Sequence, residues 1–212
     1  MKAVVSALAL SLAVASLGSQ ASAAVAYSNF GEGGAYNTMS GSTILGSSNP
    51  VGYYKAACSF VSLVSGTVDS YEIPGFYDIP SFNIFPDHSV TLNLLDGAPW
   101  SSSNTLDSVS LTFALYPSAV IAKPSASHPQ LVAGQTYWLE MLPSEASTVS
   151  TWCFNSIGST GYYINYAGGG GNWVATDAVT PAFSVQASVP EPTCLSLIGV
   201  TAALVLSRRR AV

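Results

Sequence analysis

The side chains that could do acid–base or metal chemistry are few in this 212-residue chain, and they are widely spaced. His88 and His128 are the two histidines, and neither has a cysteine or another histidine within five residues. Zinc sites are built from such closely spaced ligands, so the sequence predicts no metal site at either histidine. Asp87 beside His88 could act as a general base, but an aspartate and a histidine in a polar loop are more often simply solvated. We therefore predict no catalytic residue.

Ten acidic side chains are scattered between residues 24 and 189. Some pair among ten can always be matched to the two carboxylates of a glycosidase, so their presence carries little information. A calcium site built from Asp69, Glu72 and Asp78 is an alternative, although no repeated ligand spacing supports it. Apart from calcium, no cofactor is predicted. The motifs of serine hydrolases, phosphate-binding loops and dinucleotide-binding loops are missing from the sequence.

Aromatic side chains are the remaining candidates for a binding function. Tyr163 and Trp173 belong to the segments GYYINY and GGGGNW, and Trp100 lies in the loop-like segment DGAPWSSSN. Exposed aromatic rings can stack on sugar rings, and loops provide many binding surfaces. Aromatic residues on strands are more often core or cross-strand partners. Sugar stacking by Trp100, Tyr163 and Trp173 is therefore a hypothesis that depends on their exposure.

Two of the three cysteines are candidates for a disulfide bond. Cys58 and Cys153 both fall in segments with strand character, and an exported protein folds in an oxidising compartment. In the chain-entropy model, a bridge closing so long a loop stabilises the fold by about 4–5 kcal/mol. The alternative is two separately buried thiols that act as small apolar residues. Cys194, near the C-terminus, has no partner in this scheme.

Charge excludes two classes of partner. Charged residues make up 8% of the chain, against about 25% in typical soluble domains. Residues 24–189 contain ten acids and two bases, Lys55 and Lys123, which gives a net charge of about −8. Nucleic acid and anionic lipid both need a basic surface. The sequence excludes both as partners of this region.

The elements that must position these side chains are predicted to be strands. Several segments alternate between apolar and polar residues, with the apolar sets Val90, Leu92 and Leu94; Val109, Leu111, Phe113 and Leu115; and Tyr137, Leu139 and Met141. Residues 162–166, a glycine-rich turn and a strand from Trp173 predict a hairpin. Period-two alternation separated by turn residues is typical of half-buried antiparallel strands. We expect an all-β domain over residues 24–187, an antiparallel β-sandwich or jelly roll.

The N-terminal end is predicted to be a secretory signal peptide. Lys2 precedes an uninterrupted run of small and apolar residues, and Ala21, Ser22 and Ala23 fit the small-x-small cleavage rule. We expect a signal helix over residues 1–23 and cleavage between Ala23 and Ala24. An uncleaved membrane anchor is the alternative, but the apolar run is short for one.

The C-terminal residues 188–212 combine three features in a fixed order. Pro190, Glu191 and Pro192 should form a stiff, extended and exposed peptide, because proline fixes φ and donates no backbone hydrogen bond. Residues 193–207 carry no charge and would form a short membrane helix. Flanking arginines can compensate for its length by reaching the interface. The basic cluster Arg208, Arg209 and Arg210 would then stay on the cytoplasmic side.

This tail resembles the PEP-CTERM sorting signal of Gram-negative bacteria. The resemblance implies that residues 190–192 are the recognition triplet, residues 193–207 the membrane segment and residues 208–210 the cytoplasmic stop. It also implies processing by an exosortase, a membrane-embedded transpeptidase-like cysteine enzyme, in organisms that make extracellular polysaccharide. The protein would be anchored briefly in the inner membrane and then released or attached at the cell surface.

A second resemblance covers residues 24–187 in pieces. YSNFG, HPQLVAGQTYWLEM, TWCFNSIGSTG and PAFSV are similar to segments of the choice-of-anchor R type of extracellular domain. Residues 68–89 depart from that similarity and read as a local insertion. The family has no established catalytic residues to map onto this chain, so the resemblance implies an extracellular β domain and no activity.

The sequence therefore predicts an exported, exosortase-sorted surface or matrix protein that is not an enzyme. A carbohydrate-binding module, or an ice-binding one, is the alternative, and a secreted hydrolase is the third hypothesis. The expected partners are signal peptidase, exosortase, the inner membrane and extracellular polysaccharide.

Overall fold

The computed structural model describes residues 21–77, 88–166 and 172–190. In these ranges the regular structure consists of β-strands and one 3-10 turn at Glu32–Gly34. The strands are β1 (Ala21–Ser28), β2 (Tyr36–Leu45), β3 (Tyr54–Val61), β4 (Gly66–Phe76), β5 (Ser89–Leu95), β6 (Thr105–Thr112), β7 (Ala119–Pro124), β8 (Gln130–Leu131), β9 (Thr136–Pro143), β10 (Val149–Asn155), β11 (Thr160–Tyr166), β12 (Trp173–Val179) and β13 (Ser184–Pro190). The predicted all-β class is confirmed.

The strands form one curled sheet in the order β1-β13-β4-β10-β2-β3-β9-β5-β6. Two further strands, β7 and β8, pair with β4, while β11 pairs with both β3 and β12. The paired ladders are antiparallel, including the hairpin β11–β12 that the sequence predicts. Because the sheet curls, strands from distant parts of the order contribute to one core, in which Leu94 and Phe183 are both fully buried members.

Alternation of side chains decides which residues fill this core. Val90, Leu92 and Leu94 of β5 are buried, and so are the predicted inward residues of β6 and β9. The prediction is wrong for Leu115, which is 44% exposed. Strand β6 ends at Thr112, three residues before Leu115, so the period-two pattern no longer applies there.

Strand β4 covers the first part of residues 68–89, the segment that departs from the family resemblance. Its eleven residues, Gly66–Phe76, pair with β13, β7, β8 and β10, so it is a central element of the sheet. Ile73 and Tyr71 on this strand belong to the core. Residues 78–87 lie outside the described ranges.

Buried polar bonds join the first and last parts of the domain. Asn29 donates from Nδ2 to the carbonyl of Pro181 at 2.8 Å and accepts from the backbone N–H of Phe183 at 2.7 Å. The indole of Trp152 donates to the carbonyl of Ala182 at 2.8 Å. Because buried polar groups are costly when unpaired, these bonds hold the segment before β13 against β1 and β10.

The chain divides into two compact units. One, Ala23–Ser188, contains nearly all the described residues. The other combines Met1–Ser22 with Val189–Val212. The predicted signal helix and membrane helix fall almost wholly on residues outside the described ranges. Within those ranges, no helix has the length and hydrophobicity needed to cross a membrane.

Candidate functional site: an aromatic surface

The outer face of the sheet carries a cluster of aromatic rings across β9, β3, β11 and β12. Ala57 of β3 stands opposite Glu140 of β9 on one side and Tyr163 of β11 on the other. Residues paired in this way point to the same face of a sheet. Since Cys58 and Leu139 face the core, their neighbours along the strands face outward.

Four rings form this cluster, which we call the aromatic surface: Trp100, Trp138, Tyr163 and Trp173. The ring centroid of Trp100 lies 4.3 Å from that of Tyr163, 4.9 Å from that of Trp138 and 6.1 Å from that of Trp173. Trp138 and Tyr163 are also in contact, at 5.4 Å. Trp100 is 47% exposed, and the other three are half-buried. The aromatic surface is therefore open to a ligand.

A closed loop between β5 and β6 holds Trp100 in place. Asp96 accepts hydrogen bonds from both the backbone N–H and the side-chain amide of Asn104, each at 2.7 Å. These bonds lower the pKa of Asp96. Within the loop, Ser101 donates from its backbone and its hydroxyl to the carbonyl of Ala98. A loop bonded across its base loses less conformational freedom when a ligand binds.

One ion pair borders the aromatic surface. The Nζ of Lys55 lies 3.0 Å from Oε1 of Glu140 and 4.7 Å from the ring centroid of Trp173. Register explains the second contact, because Asn165 of β11 stands between Lys55 and Trp173 and all three share a face. The ion pair fixes the ammonium beside the ring, where the cation–π attraction also acts.

The negative charge of Glu140 also reaches a neighbouring tyrosine. Burial raises the pKa of Tyr53, and the charge of Glu140 raises it further. The Tyr53 phenol therefore stays protonated at neutral pH and can donate a hydrogen bond. Asn93 of β5 stands opposite Glu140 on the outer face. Glu140 and Asn93 thus share a face with the ring of Trp138, and their side chains can bond to hydroxyls.

The structure brings together the three aromatic residues that the sequence singled out. Trp100, Tyr163 and Trp173 are all members of the aromatic surface. The fourth member, Trp138, was missed as a candidate. Its signal was present in the sequence, because Trp138 alternates with the inward Tyr137 and Leu139 and must face outward. A tryptophan at an outward strand position is unusual enough to indicate a surface role.

The two histidines are bonded to backbone rather than placed at a site. The Nδ1 of His88 donates to the carbonyl of Val149 at 3.1 Å, and its ring stacks on Tyr77 with centroids 3.4 Å apart. The Nδ1 of His128 donates to the carbonyl of Val68 at 3.0 Å. The neighbour of His88 in the general-base alternative, Asp87, lies outside the described residues.

The side chains of Asp69 and Glu72, proposed as calcium ligands, do not form a set of ligands within the described residues. Asp69 accepts from the hydroxyl of Ser188 at 2.6 Å, and Glu72 accepts from the amide of Gln186 at 3.3 Å. Asp78 lies outside the described ranges. Within those ranges, no group of three acidic, histidine or cysteine side chains could hold a metal ion.

Cys58 and Cys153 lie on strands β3 and β10, as predicted, but the structure contains two free buried thiols and not the candidate disulfide. Cys58 belongs to the core together with Trp152. Cys153 follows Trp152 on β10 and so points to the opposite face. Burial raises the pKa of Cys153 to about 11. The alternative of two separately buried thiols is the one observed.

The predicted processing sites lie at the limits of the described residues. The Ala23–Ala24 bond lies within β1, and Ala23 is exposed. Pro190 is exposed and is the last residue of β13, beyond Ser188, the last residue paired with β4. Glu191, Pro192 and Arg208–Arg210 are outside the described ranges. Signal cleavage and tail recognition therefore stay predictions.

Comparison with known proteins adds no assignment. No protein-family model matches the chain, and a search of curated proteins found no match. The resemblances of the tail and the domain thus stay predictions from their motifs, and the aromatic surface must be interpreted from its own geometry.

Proposed function

We propose that this protein is an exported surface or matrix protein that binds carbohydrate through the aromatic surface. One observation supports this most strongly: Trp100, a loop residue, lies within 6.1 Å of three other rings and is still 47% exposed. A hydrophobic cluster so exposed usually marks a binding site. Sugar rings offer C–H faces that stack on aromatic rings and hydroxyls that hydrogen-bond to their surroundings.

The test is binding to a glycan array by the full-length protein and two variants. Trp100→Ala and Trp173→Ala each remove one ring, and we expect each to lower affinity about tenfold. Tyr116→Ala is the matched control, because Tyr116 is also exposed but packs on Phe76, away from the aromatic surface. Binding that survives both tryptophan variants, or no binding to any glycan, would contradict the proposal.

Export and sorting are proposed from the two ends of the chain. The signal-like residues 1–23 and the order of residues 190–192, 193–207 and 208–210 support secretion, a brief stay in the inner membrane and processing by an exosortase. On this proposal residues 1–23 and 193–207 are helical. Final placement at the cell surface or in the matrix would bring the aromatic surface to extracellular polysaccharide.

For the domain, we propose a two-layered β-sandwich of the jelly-roll kind and a non-enzymatic role. The layered arrangement is supported by a core that combines residues of β5, β6 and β9 with residues of β4 and β13. The non-enzymatic role is supported by the bonding of both imidazoles to backbone carbonyls. Turnover of a polysaccharide abolished by changing a single acid or histidine would contradict it.

A further inference from the structure

The charge at the aromatic surface is already balanced. Lys55 and Lys123 are the two bases between residues 24 and 189. Lys55 is paired with Glu140 at 3.0 Å, and its side chain is only 20% exposed. Lys123 lies on β7, which pairs with β4 and not with the strands of the aromatic surface.

A polyanionic glycan would therefore meet an unfavourable environment. Uronates and sulfated sugars are usually bound by arginine or lysine with free hydrogen-bond donors. Here the ammonium of Lys55 is shared between a carboxylate and the ring of Trp173. The domain's net charge of about −8 would also repel a polyanion.

The orientation of the rings independently restricts the physical state of the ligand. The ring planes of Trp100 and Trp138 are 79° apart, and those of Trp138 and Tyr163 are 60° apart. Trp100 is also inclined to Tyr163 by 44° and to Trp173 by 54°. A flat crystal face can lie flush against only one plane direction at a time. A single flexible chain can turn from one ring to the next.

We propose that the aromatic surface binds one uncharged polysaccharide chain in solution. Polyanionic glycans and the flat faces of crystalline solids, such as cellulose or ice, are poor ligands. This inference rests on the carbohydrate-binding function proposed above. It adds the chemical class and the physical state of the ligand.

The test measures binding of the full-length protein to three kinds of probe. The protein is kept in a polyoxyethylene detergent, because such a detergent contains no sugar that could compete. Native gels are cast with soluble neutral polymers (a β-glucan, an α-glucan, a galactomannan and a xylan) or with alginate, a polyuronate. Microcrystalline cellulose and chitin are used in a depletion assay. We expect retardation by at least one neutral polymer, no retardation by alginate and no depletion by either solid.

Salt provides a check on the charge argument. Binding to a neutral chain should change less than about twofold between about 0.05 M and about 0.5 M NaCl, because no ion pair with the ligand is screened. A steep loss of affinity with salt would overturn the inference.

The variants locate the binding and separate two kinds of failure. Trp100→Ala should lower affinity for the neutral polymer at least about tenfold, Trp100→Phe should retain most of it, and the control Tyr116→Ala should leave it unchanged. Alginate or cellulose binding that Trp100→Ala abolishes would overturn this inference and leave carbohydrate binding in place. Absence of binding to every probe would overturn the proposed function itself.

Discussion

Asp107 is the buried carboxylate that organises the turn after β7. It accepts hydrogen bonds from the hydroxyls of Tyr71 and Ser125 and from the backbone N–H groups of residues 126–127 and of Ser108. Burial alone would raise the pKa of Asp107, but these hydrogen bonds outweigh it and lower the pKa below the ordinary value. Burial and the same carboxylate raise the pKa of Tyr71. The side chain of Asp107 on β6 thus forms hydrogen bonds with β4 and with the turn after β7.

We expect Asp107 to make stability depend on pH at the acid end. Its pKa is lower in the folded than in the unfolded state, so the stabilisation is complete above about pH 4, the unfolded value, and is lost as pH falls through the folded pKa. Asp107→Asn should lower the free energy of unfolding at neutral pH by about 2 kcal/mol, because it weakens several charge-assisted bonds. The free energy of unfolding of this variant should also fall less steeply as the pH is lowered. Denaturant titrations at several pH values measure both effects.

Asp177→Asn is the matched control, because Asp177 is exposed on β12. It should change the free energy of unfolding by less than about 0.5 kcal/mol. If the free energy of unfolding of Asp107→Asn falls with decreasing pH as steeply as that of the unmodified protein, the pH dependence arises elsewhere.

At the scale of elements, Gly41 permits the close pairing of β2 and β10. Gly41 stands opposite Cys153 in the ladder. A Cβ atom added at Gly41 would lie 2.1 Å from the carbonyl oxygen of Trp152 and 2.8 Å from the Cα of Cys153. Those atoms are backbone, so they cannot move aside as a flexible side chain could. The two strands must separate if residue 41 has a side chain.

Gly41→Ala should therefore destabilise the protein by about 3 kcal/mol, the cost typical of overpacking that shifts a backbone. Gly97→Ala is the control, because a Cβ at Gly97 would approach no atom closer than 3.4 Å. Thermal unfolding monitored by circular dichroism measures both variants. Equal midpoints for the two would mean that β2 and β10 can separate at little cost.

The strands that the sequence predicted best are those whose signal is local. In β5 and β9 the alternation of apolar residues alone identified the inward side chains, and burial confirms them. Strand β4 was obscured because Pro74 and Gly75 usually end strands. In the structure Pro74 stands opposite Val120 of β7 within a continuous ladder. Local composition could not show that β4 continues through both residues.

The sequence does not show which distant strands pair, and this pairing brings the rings of the aromatic surface together. Trp100, Trp138 and Trp173 are far apart in the chain and meet because β9 pairs with both β5 and β3, while β11 pairs with both β3 and β12. Single-sequence alternation predicts which way each side chain points but not which strands are neighbours. The separation of Cys58 from Cys153 follows from the same missing information.

At the scale of the whole molecule, the acidic, lysine-poor domain and its neutral aromatic surface suit the same environment. An extracellular matrix built of polysaccharide offers uncharged hydroxyls and C–H faces in high local concentration. In the proposed binding mode each contact with one ring would be weak, and the many repeats along a polysaccharide chain would compensate by raising the effective concentration of binding sites. The proposed sorting tail would deliver the domain to that matrix.

We expect the proposed sorting to depend on Pro190 and Pro192, because a rigid extended peptide is suited to recognition by another protein. Pro190 is exposed, lies two residues beyond the ladder with β4 and has no backbone N–H to donate, so substitution there should leave the core intact. In the native host, the double variant Pro190→Ala/Pro192→Ala should accumulate as a larger, unprocessed form in the inner-membrane fraction, detected by immunoblotting. Pro50→Ala, at an exposed turn, is the control and should be processed normally. Normal processing and placement of the double variant would contradict sorting through this triplet.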